Sequence, residues 1–417
     1  MITDPDAVVI GDLNLLRAVG LAGLRSIVVS QSRRTLRSRY STASFEMTPP
    51  LEDMKRSADE LCELGSTLRT RPTLYYSNDT QLLMVSRHRE ALSRYYRFLM
   101  PDEKLIEDMV DKARFGMLAV SRDFPMPRTL VNPLTASGRI EWPWSFPCVV
   151  KPITRVGWFE AKVEQVPHKV FKVESQEELD RKVEVMQAHS RGFLLQEFIS
   201  GEDDQIYSFH GYFDRSSEPL AWFVGRKVRT YPLDTGRSTC LELVQEPEVA
   251  ELGLSILRGL GFSGVMKVDF KRDSRSGRLC LLEMNPRFNL WHYLGAVSGV
   301  NLPEVAHRYL AGTWSGPPPK YRAGCYWISG SMDVKAISSA LRRGRLATGK
   351  LLRSWMGRKV CNLFAWKDPF PFLFAVRSLL RSAVTAGRSK KRPPTPVVEA
   401  DRSPGTRQSD KATNLAD

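Results

Sequence analysis

Gly264-Val265-Met266-Lys267-Val268-Asp269-Phe270 and, beyond the polar stretch Arg272 to Arg278, Leu281-Leu282-Glu283-Met284-Asn285-Pro286-Arg287 decide how this chain is read. Two apolar runs separated by a polar turn make a β-hairpin. Asp269 sits on its first strand. Glu283 and Asn285 stand two apart on the second, so both project from one face. Two carboxylates and an amide oxygen converging across a hairpin are hard oxygen donors. Magnesium favours such a set and completes its shell with water and substrate phosphates. A solvated hairpin face is the plainer reading. Against it stands the cost of setting acids into apolar strands without cations or partners. Lys267 and Arg287 share the face of Asp269 and Asn285.

Two segments upstream carry compatible chemistry. Phe146-Pro147-Cys148-Val149-Val150-Lys151-Pro152 is an apolar strand ending in a lysine, a charge that can neutralise a phosphate at close range. Phe193-Leu194-Leu195-Gln196-Glu197-Phe198-Ile199-Ser200-Gly201-Glu202-Asp203-Asp204 is an apolar strand running into a connector and an acidic turn. Backbone groups of such a connector can read a purine, and an acid can accept ribose hydroxyls. Taken singly, a strand that ends in lysine and an acidic surface loop are both commonplace.

The surroundings read as α/β. Val8-Val9-Ile10, a helical stripe from Leu13 to Leu21 closed at Gly23, and Ile27-Val28-Val29 form β-α-β. A helix around Asp53 to Leu64 leads to a third strand, Thr73 to Tyr76, so a parallel sheet is expected. The first strand is followed by Gly11-Asp12-Leu13-Asn14, not by the GxGxxG of a dinucleotide site. Phe124 to Thr129 breaks helical periodicity and marks entry into a second unit. Helices are expected near Ser175 to Ala188, with Ser175 and Glu178 as a capping box, and near Pro247 to Leu260. Pro317-Pro318-Pro319 reads as a joint to an appendage. The last residues are rich in proline, serine and charge, the composition of a disordered tail.

Composition narrows the class. The 417 residues, 42% hydrophobic, suit two or three domains. Neither a secretory leader nor a run long enough to span a bilayer is visible. Six scattered cysteines without CxxC pairs argue against zinc or a disulfide framework and fit a reducing cytoplasm. The net charge of +15 is concentrated: Lys335 to Arg392 holds fifteen Lys and Arg against one acid, Asp368.

The order Lys151, then Gln196-Glu197-Phe198-Ile199 with its acids, then Asp269 and Glu283-x-Asn285 resembles the ATP-grasp superfamily over about residues 5 to 313. Asp111-Lys112-Ala113-Arg114-Phe115, the Pro125 to Thr129 lead-in and Gly225-Arg226-Lys227-Val228-Arg229-Thr230-Tyr231-Pro232 are similar to its carboxylate–amine ligase branch and predicted ATP-dependent carboligases. The resemblance implies an N-terminal Rossmann-like pre-ATP-grasp α/β domain (1–110) and a two-lobed α+β ATP-grasp domain (111–313). A basic, mostly helical appendage (314–384) and a disordered tail (385–417) would follow. It implies Mg2+ or Mn2+ held by Asp269, Glu283 and Asn285, and ATP phosphates met by Lys151 and by Lys169 or Lys172. Gln196, Glu197 and Ile199 would frame adenine, and Asp203 or Glu202 would hold ribose. Lys267 and Arg287 would stabilise the transferred phosphoryl group and the acyl phosphate. Arg226, Lys227 and Arg229 would meet the substrate carboxylate or γ-phosphate. Where the family carries a glycine- and serine-rich loop, this chain has Ile153-Thr154-Arg155-Val156-Gly157-Trp158-Phe159.

The implied activity is an ADP-forming ligase joining a carboxylate to an amine, one of them an amino acid. A non-catalytic nucleotide-binding protein, carboxylation or phosphorylation are the alternatives on the same fold, and a homodimer is compatible with it. Gly344-Arg345-Leu346-Ala347-Thr348-Gly349-Lys350 nearly matches a P-loop, but Leu351 replaces the Ser or Thr that meets magnesium, and the flanks read helix-turn-helix. His292 and His210 read as packed, structural side chains. In the basic segment, Arg377, Ser378, Arg381 and Ser382 share a helical face opposite an apolar one. Packing on the body is the reading preferred from sequence, with peripheral membrane contact the competitor. No nucleic-acid-reading module is present.

Overall fold

The computed structural model describes residues 4–30, 32–131, 140–152, 171–187, 193–233, 236–344 and 348–389. The chain divides into two compact units, Met1–Phe374 and Ala375–Asp417.

The larger unit begins with a parallel sheet of β1 (Ala7–Ile10), β2 (Ser26–Val29), β3 (Ser41–Phe45) and β4 (Thr73–Tyr76), in the order β3-β2-β1-β4. The edge strand β3 escapes sequence reading because Ser-Thr-Ala-Ser-Phe has no apolar run and only alternates between exposed and half-buried. After β1 the chain turns on Asp12, whose carboxylate accepts from the amides of Asn14 (2.9 Å) and Leu15 (3.1 Å) and so caps α1 (Leu13–Leu21). A side chain thus takes the amides that a dinucleotide fold leaves for phosphate. Helices α2 (Met54–Ser66) and α3 (Asp79–Arg87) bury one face of this sheet in a core that includes Ile10, Leu61 and Val85. Then α4 (Arg89–Ser93), α5 (Glu103–Val110) and α6 (Lys112–Ser121) lead onward.

A second, antiparallel sheet has the order β5-β8-β6-β7, from β5 (Thr129–Val131), β6 (Cys148–Pro152), β7 (Phe171–Val173) and β8 (Phe193–Glu197). Helix α7 (Gln176–Gln187) backs it. Its first turn departs from the expected capping box. The Glu178 amide donates to Ser175 Oγ (3.3 Å), but the Glu178 carboxylate accepts from the Glu174 amide (2.9 Å).

The largest sheet joins β9 (Ile206–Phe213), β10 (Pro219–Tyr231), β11 (Arg237–Leu243), β12 (Gly264–Arg272), β13 (Leu279–Asn285), β14 (Cys325–Ile328) and β15 (Arg358–Cys361). Their order is β13-β12-β9-β10-β11-β14-β15, antiparallel except for β14 with β15. Side chains alternate between its faces. Phe209, Phe213, Val268 and Phe270 are buried with residues of α8 (Pro247–Gly259). The other face is buried at one end by the N-terminal sheet, α1, α9 (Trp291–Val297) and α10 (Leu302–Leu310), through Tyr212, Phe223, Leu241 and Trp291. Gly225 is needed there: a Cβ would lie 2.3 Å from Trp291 Cζ3. At the other end of this face Ser208, Lys267, Asp269 and Glu283 stay polar.

The appendage comprises α11 (Gly330–Arg342), α12 (Thr348–Met356) and α13 (Phe370–Ser389). It is not purely helical, since β14 and β15 extend the large sheet. Two buried ion pairs fasten it. Arg229 forks onto Asp333 at 2.7 and 2.9 Å, and fully buried Arg17 meets fully buried Asp368 at 2.9 Å. Among the described residues no helix is long and apolar enough to cross a membrane.

Candidate active site

The hairpin β12–β13 pairs Lys267 with Asn285, Val268 with Met284 and Asp269 with Glu283. All four polar residues therefore share one face. The register shifts after Asp269, leaving Leu282 as an extra residue on β13. Asp269 is buried and accepts from Lys267 Nζ at 2.6 Å and from the Ser208 hydroxyl, with Lys227 Nζ at 3.9 Å. Glu283 lies 3.8 Å from the same Lys267 ammonium and accepts from Asn285 Nδ2 at 3.3 Å. Asn285 Oδ1 accepts from Arg287 Nη2 at 3.1 Å. Arg287 also donates to Asp79, the first residue of α3, at 2.5 Å and to the Ser77 carbonyl, on the turn between β4 and α3, at 3.1 Å.

The geometry suits a cation. The Lys267 ammonium stands between the two carboxylates, so their oxygens already converge on a positive charge. The donor set is two carboxylates and one amide oxygen, all hard. Among the described residues no group of three or more His, Cys, Asp and Glu side chains is arranged to hold a metal. An ion here would draw the rest of its shell from water and phosphate, as magnesium does.

Beside this cluster a cavity of about 600 Å³ opens between the small and large sheets. Lys151, Gln196, Ile199 and Asp203 line it, with Leu282 and Lys271 from the hairpin. Lys151 Nζ donates to Gln196 Oε1, and Gln196 Nε2 donates to Thr129 Oγ1 at 2.9 Å, which sets the amide's orientation. Burial lowers the Lys151 pKa to about 8. Glu283 pulls it up and Lys271 pushes it down. Asp203 accepts from Thr230 Oγ1 at 2.6 Å. Asp203 belongs to the lining and Glu202 does not. Glu197 also lines the cavity, but its carboxylate is tied to the Arg128 amide and Arg278, each at 3.2 Å. Lys172 reaches the cavity with its ammonium 4.5 Å from the Phe198 ring centroid. Lys169 and the 153–159 loop lie outside the described residues.

Two sequence expectations are corrected. Arg226 does not join the cluster. Alternation along β10 turns it away from Lys227, and it pairs with Glu242 at 2.9 Å. Arg229 is consumed by Asp333. Ser208, Asp79, Lys271 and Arg343 at the end of α11 are at the site without any local signal in the sequence. His210 and His292 are fully buried beneath the cluster. His210 stacks on Phe223 at 4.7 Å, and its pKa is far below the ordinary value. Burial takes His292 to about 3, helped by the charges of Arg287 and Lys267. Both are neutral packing groups, as the sequence reading expected.

No family model matches the sequence. Over 229 residues it is 24% identical to a D-aspartate ligase of Enterococcus faecium (strain Aus0004). The match takes in 52% of this chain and 54% of that protein, so the chain spans about half the length of the curated relative it matches. Among solved structures it resembles the biotin carboxylase domain of Hydrogenobacter thermophilus 2-oxoglutarate carboxylase, in complex with MgADP and bicarbonate. There the TM-score is 0.58 at 17% identity, over 78% of this chain and 74% of that one. For an L-amino acid ligase from Bacillus licheniformis the values are 0.56, 14%, 77% and 77%. For the N5-carboxyaminoimidazole synthetase from Staphylococcus aureus they are 0.56, 11%, 76% and 79%. At these low identities the likeness is one of fold: the chain shares the fold of these carboxylase, ligase and synthetase structures.

Proposed function

We propose that the protein is an ADP-forming carboxylate–amine ligase that takes an amino acid as one substrate. The observation that carries this reading is that Lys151 lines a cavity of nucleotide size between the small and large sheets and lies within electrostatic reach of Glu283, on the Asp269–Glu283–Asn285 face of the hairpin. Ligase names among the relatives support the reaction class, and the MgADP of one structural neighbour supports the cofactors. ATP would lie in the cavity with adenine framed by Gln196, Glu197 and Ile199 and ribose near Asp203. Lys151, with Lys169 or Lys172, would neutralise its phosphates.

A carboxylate cannot expel oxide, so its oxygen must first attack the γ-phosphorus. That attack forms a C–O–P linkage, breaks the bond to ADP and gives an acyl phosphate. The amine then attacks the acyl carbon, phosphate departs and the amine nitrogen gives up its proton. Phosphoryl transfer is catalysed mostly by positioning and charge neutralisation. Lys267 and Lys227 already lie within 4 Å of Asp269 and can turn to the transferred phosphoryl oxygens. Arg287, fixed by Asp79, Ser77 and Asn285, presents its guanidinium to the substrate carboxylate. Mg2+ or Mn2+, held by Asp269, Glu283 and Asn285, would supply additional charge at the phosphates. All six cysteines are free thiols, in keeping with a cytoplasmic reaction.

The test is ADP release from Mg-ATP with amino acids and small carboxylates, singly and in pairs, beside Glu283→Ala. Release that needs an acid and an amine together, and falls by orders of magnitude in the variant, is expected. ATP binding without release for any pair would favour a binding protein. Release that needs bicarbonate would make it a carboxylase.

A further inference from the structure

We propose that the C-terminal appendage is a docking surface for an anionic lipid bilayer. Of thirteen large hydrophobic side chains that stand exposed among the described residues of Met1–Phe374, eight fall between Val334 and Leu373. Exposed apolar groups are therefore gathered in the appendage and scarce over the catalytic body.

Each element shows the same division. In α12, Ser354 is buried and bonds Arg229, while Leu352, Trp355 and Met356, one helical face at i, i+3 and i+4, are 57–79% exposed. Trp366, in the loop before α13, is 89% exposed, and Phe370 and Leu373 are more than half exposed. Packing on the body, the preferred sequence reading, does not cover these residues in Met1–Phe374.

Charge identifies the partner. The one acid between Lys335 and Arg392, Asp368, is fully buried and neutralised by Arg17, so it subtracts nothing from the surface. Asp333, just before that stretch, is consumed by Arg229. What remains outside is cationic, with Arg353, Arg358, Lys359 and Lys367 exposed between the apolar groups. Indole rings and aliphatic side chains interleaved with cations that, among the described residues, form no ion pair match the boundary of a bilayer carrying acidic headgroups. A protein core partner would have to bury those cations unpaired, and a polyanion alone would leave the tryptophans and leucines in water. The surface concerns attachment, so it stands apart from the proposed ligase reaction.

The full chain is sedimented with vesicles of phosphatidylcholine alone and of phosphatidylcholine mixed with phosphatidylglycerol, at low and raised salt. Co-sedimentation with the mixed vesicles only, weakened by salt, is expected. The pair Trp355→Ser/Trp366→Ser should weaken partitioning on the order of tenfold through lost apolar insertion. The pair Arg353→Glu/Lys367→Glu should weaken it by at least about tenfold, since each cation near an acidic surface contributes roughly fivefold. All four side chains are exposed, and unchanged thermal unfolding of both variants would show that the fold is intact. Failure to sediment with mixed vesicles, or sedimentation of both variants equal to that of the wild type, overturns the proposal. So does displacement from vesicles by a single-stranded oligonucleotide that binds both the wild type and the tryptophan variant.

Discussion

Lys151 offers a test in which two measurements must move in opposite directions. Its ammonium is lowered from 10.5 to about 8, with burial as the main cause. If ATP phosphates occupy the cavity, they restore the charged form. Binding then requires a proton above pH 8, and ATP affinity falls by up to tenfold per pH unit. The gap between 8 and 10.5 sets a ceiling of roughly 300-fold. Calorimetric titration with ATP from pH 7 to 9.5, in buffers of different ionisation enthalpy, reads both the affinity and the proton taken up. Lys151→Arg, which keeps its charge, should flatten the profile. Stability runs the other way. Between about pH 8 and 10.5 the unfolded chain holds the Lys151 proton and the folded chain has released it. This residue's contribution to stability therefore rises with pH across that window, as the cost of the buried charge disappears. An ATP affinity independent of pH from 7 to 9.5, with no proton uptake at pH 8.5, would refute the assignment of Lys151 to the phosphates.

Three further outcomes follow from the geometry. Arg287→Ala should lower ADP-forming turnover by at least about a hundredfold if its charge meets the reacting groups as proposed, while ATP affinity changes little. Arg226→Ala, on the opposite face of β10, should leave turnover within about threefold, as for a side chain away from the reacting groups. Equal losses in the two variants, measured by steady-state ADP release, would contradict the facing of β10. Asp368→Ala strands the buried Arg17 guanidinium and should destabilise the larger unit by about 3–5 kcal/mol. Chemical denaturation reads this, and a loss under 1 kcal/mol would mean that the Arg17 bonds to the Cys361, Asn362 and Leu363 carbonyls are sufficient alone.

The legible parts of the sequence were those whose chemistry is local. Asp269, Glu283 and Asn285 are set by the period of two along a hairpin, and the register Asp269–Glu283 needed no distant information. Lys151 was readable because an apolar strand ends at it. What escaped depends on contacts between segments far apart. Asp79 reaches Arg287 across 208 residues, and Ser208 reaches Asp269 across 61. Arg226 and Lys227 are equivalent as sequence neighbours, and only the pairing of β10 with β9 and β11 decides which one faces the cluster. The role of Asp368 was hidden for the same reason. In the sequence it is a lone acid in a basic run, and its partner, Arg17, lies on the first helix.

The charges at the site explain how such a cluster can exist before any ligand arrives. Lys227, Lys267 and Arg287 are set against Asp269, Glu283 and Asp79, so the face beside the N-terminal sheet is close to neutral. Buried charges are tolerated when paired and hydrogen-bonded, and this pairing limits what the fold must give up to assemble the site. Lys151 differs: among the described residues no carboxylate makes a salt bridge to it, and its partner is the neutral amide of Gln196. A nucleotide with its cation brings both signs at once. Its positive part suits the carboxylates and its phosphates suit the ammonium groups, so each internal pair can be exchanged for a ligand contact of the same sign. Among the described residues Lys151 has no ion pair to give up, so phosphate contact there adds a charge pairing where only the hydrogen bond to Gln196 stood. On this argument Lys151 should contribute more to nucleotide affinity than Lys267, and Lys267 more to turnover than to affinity.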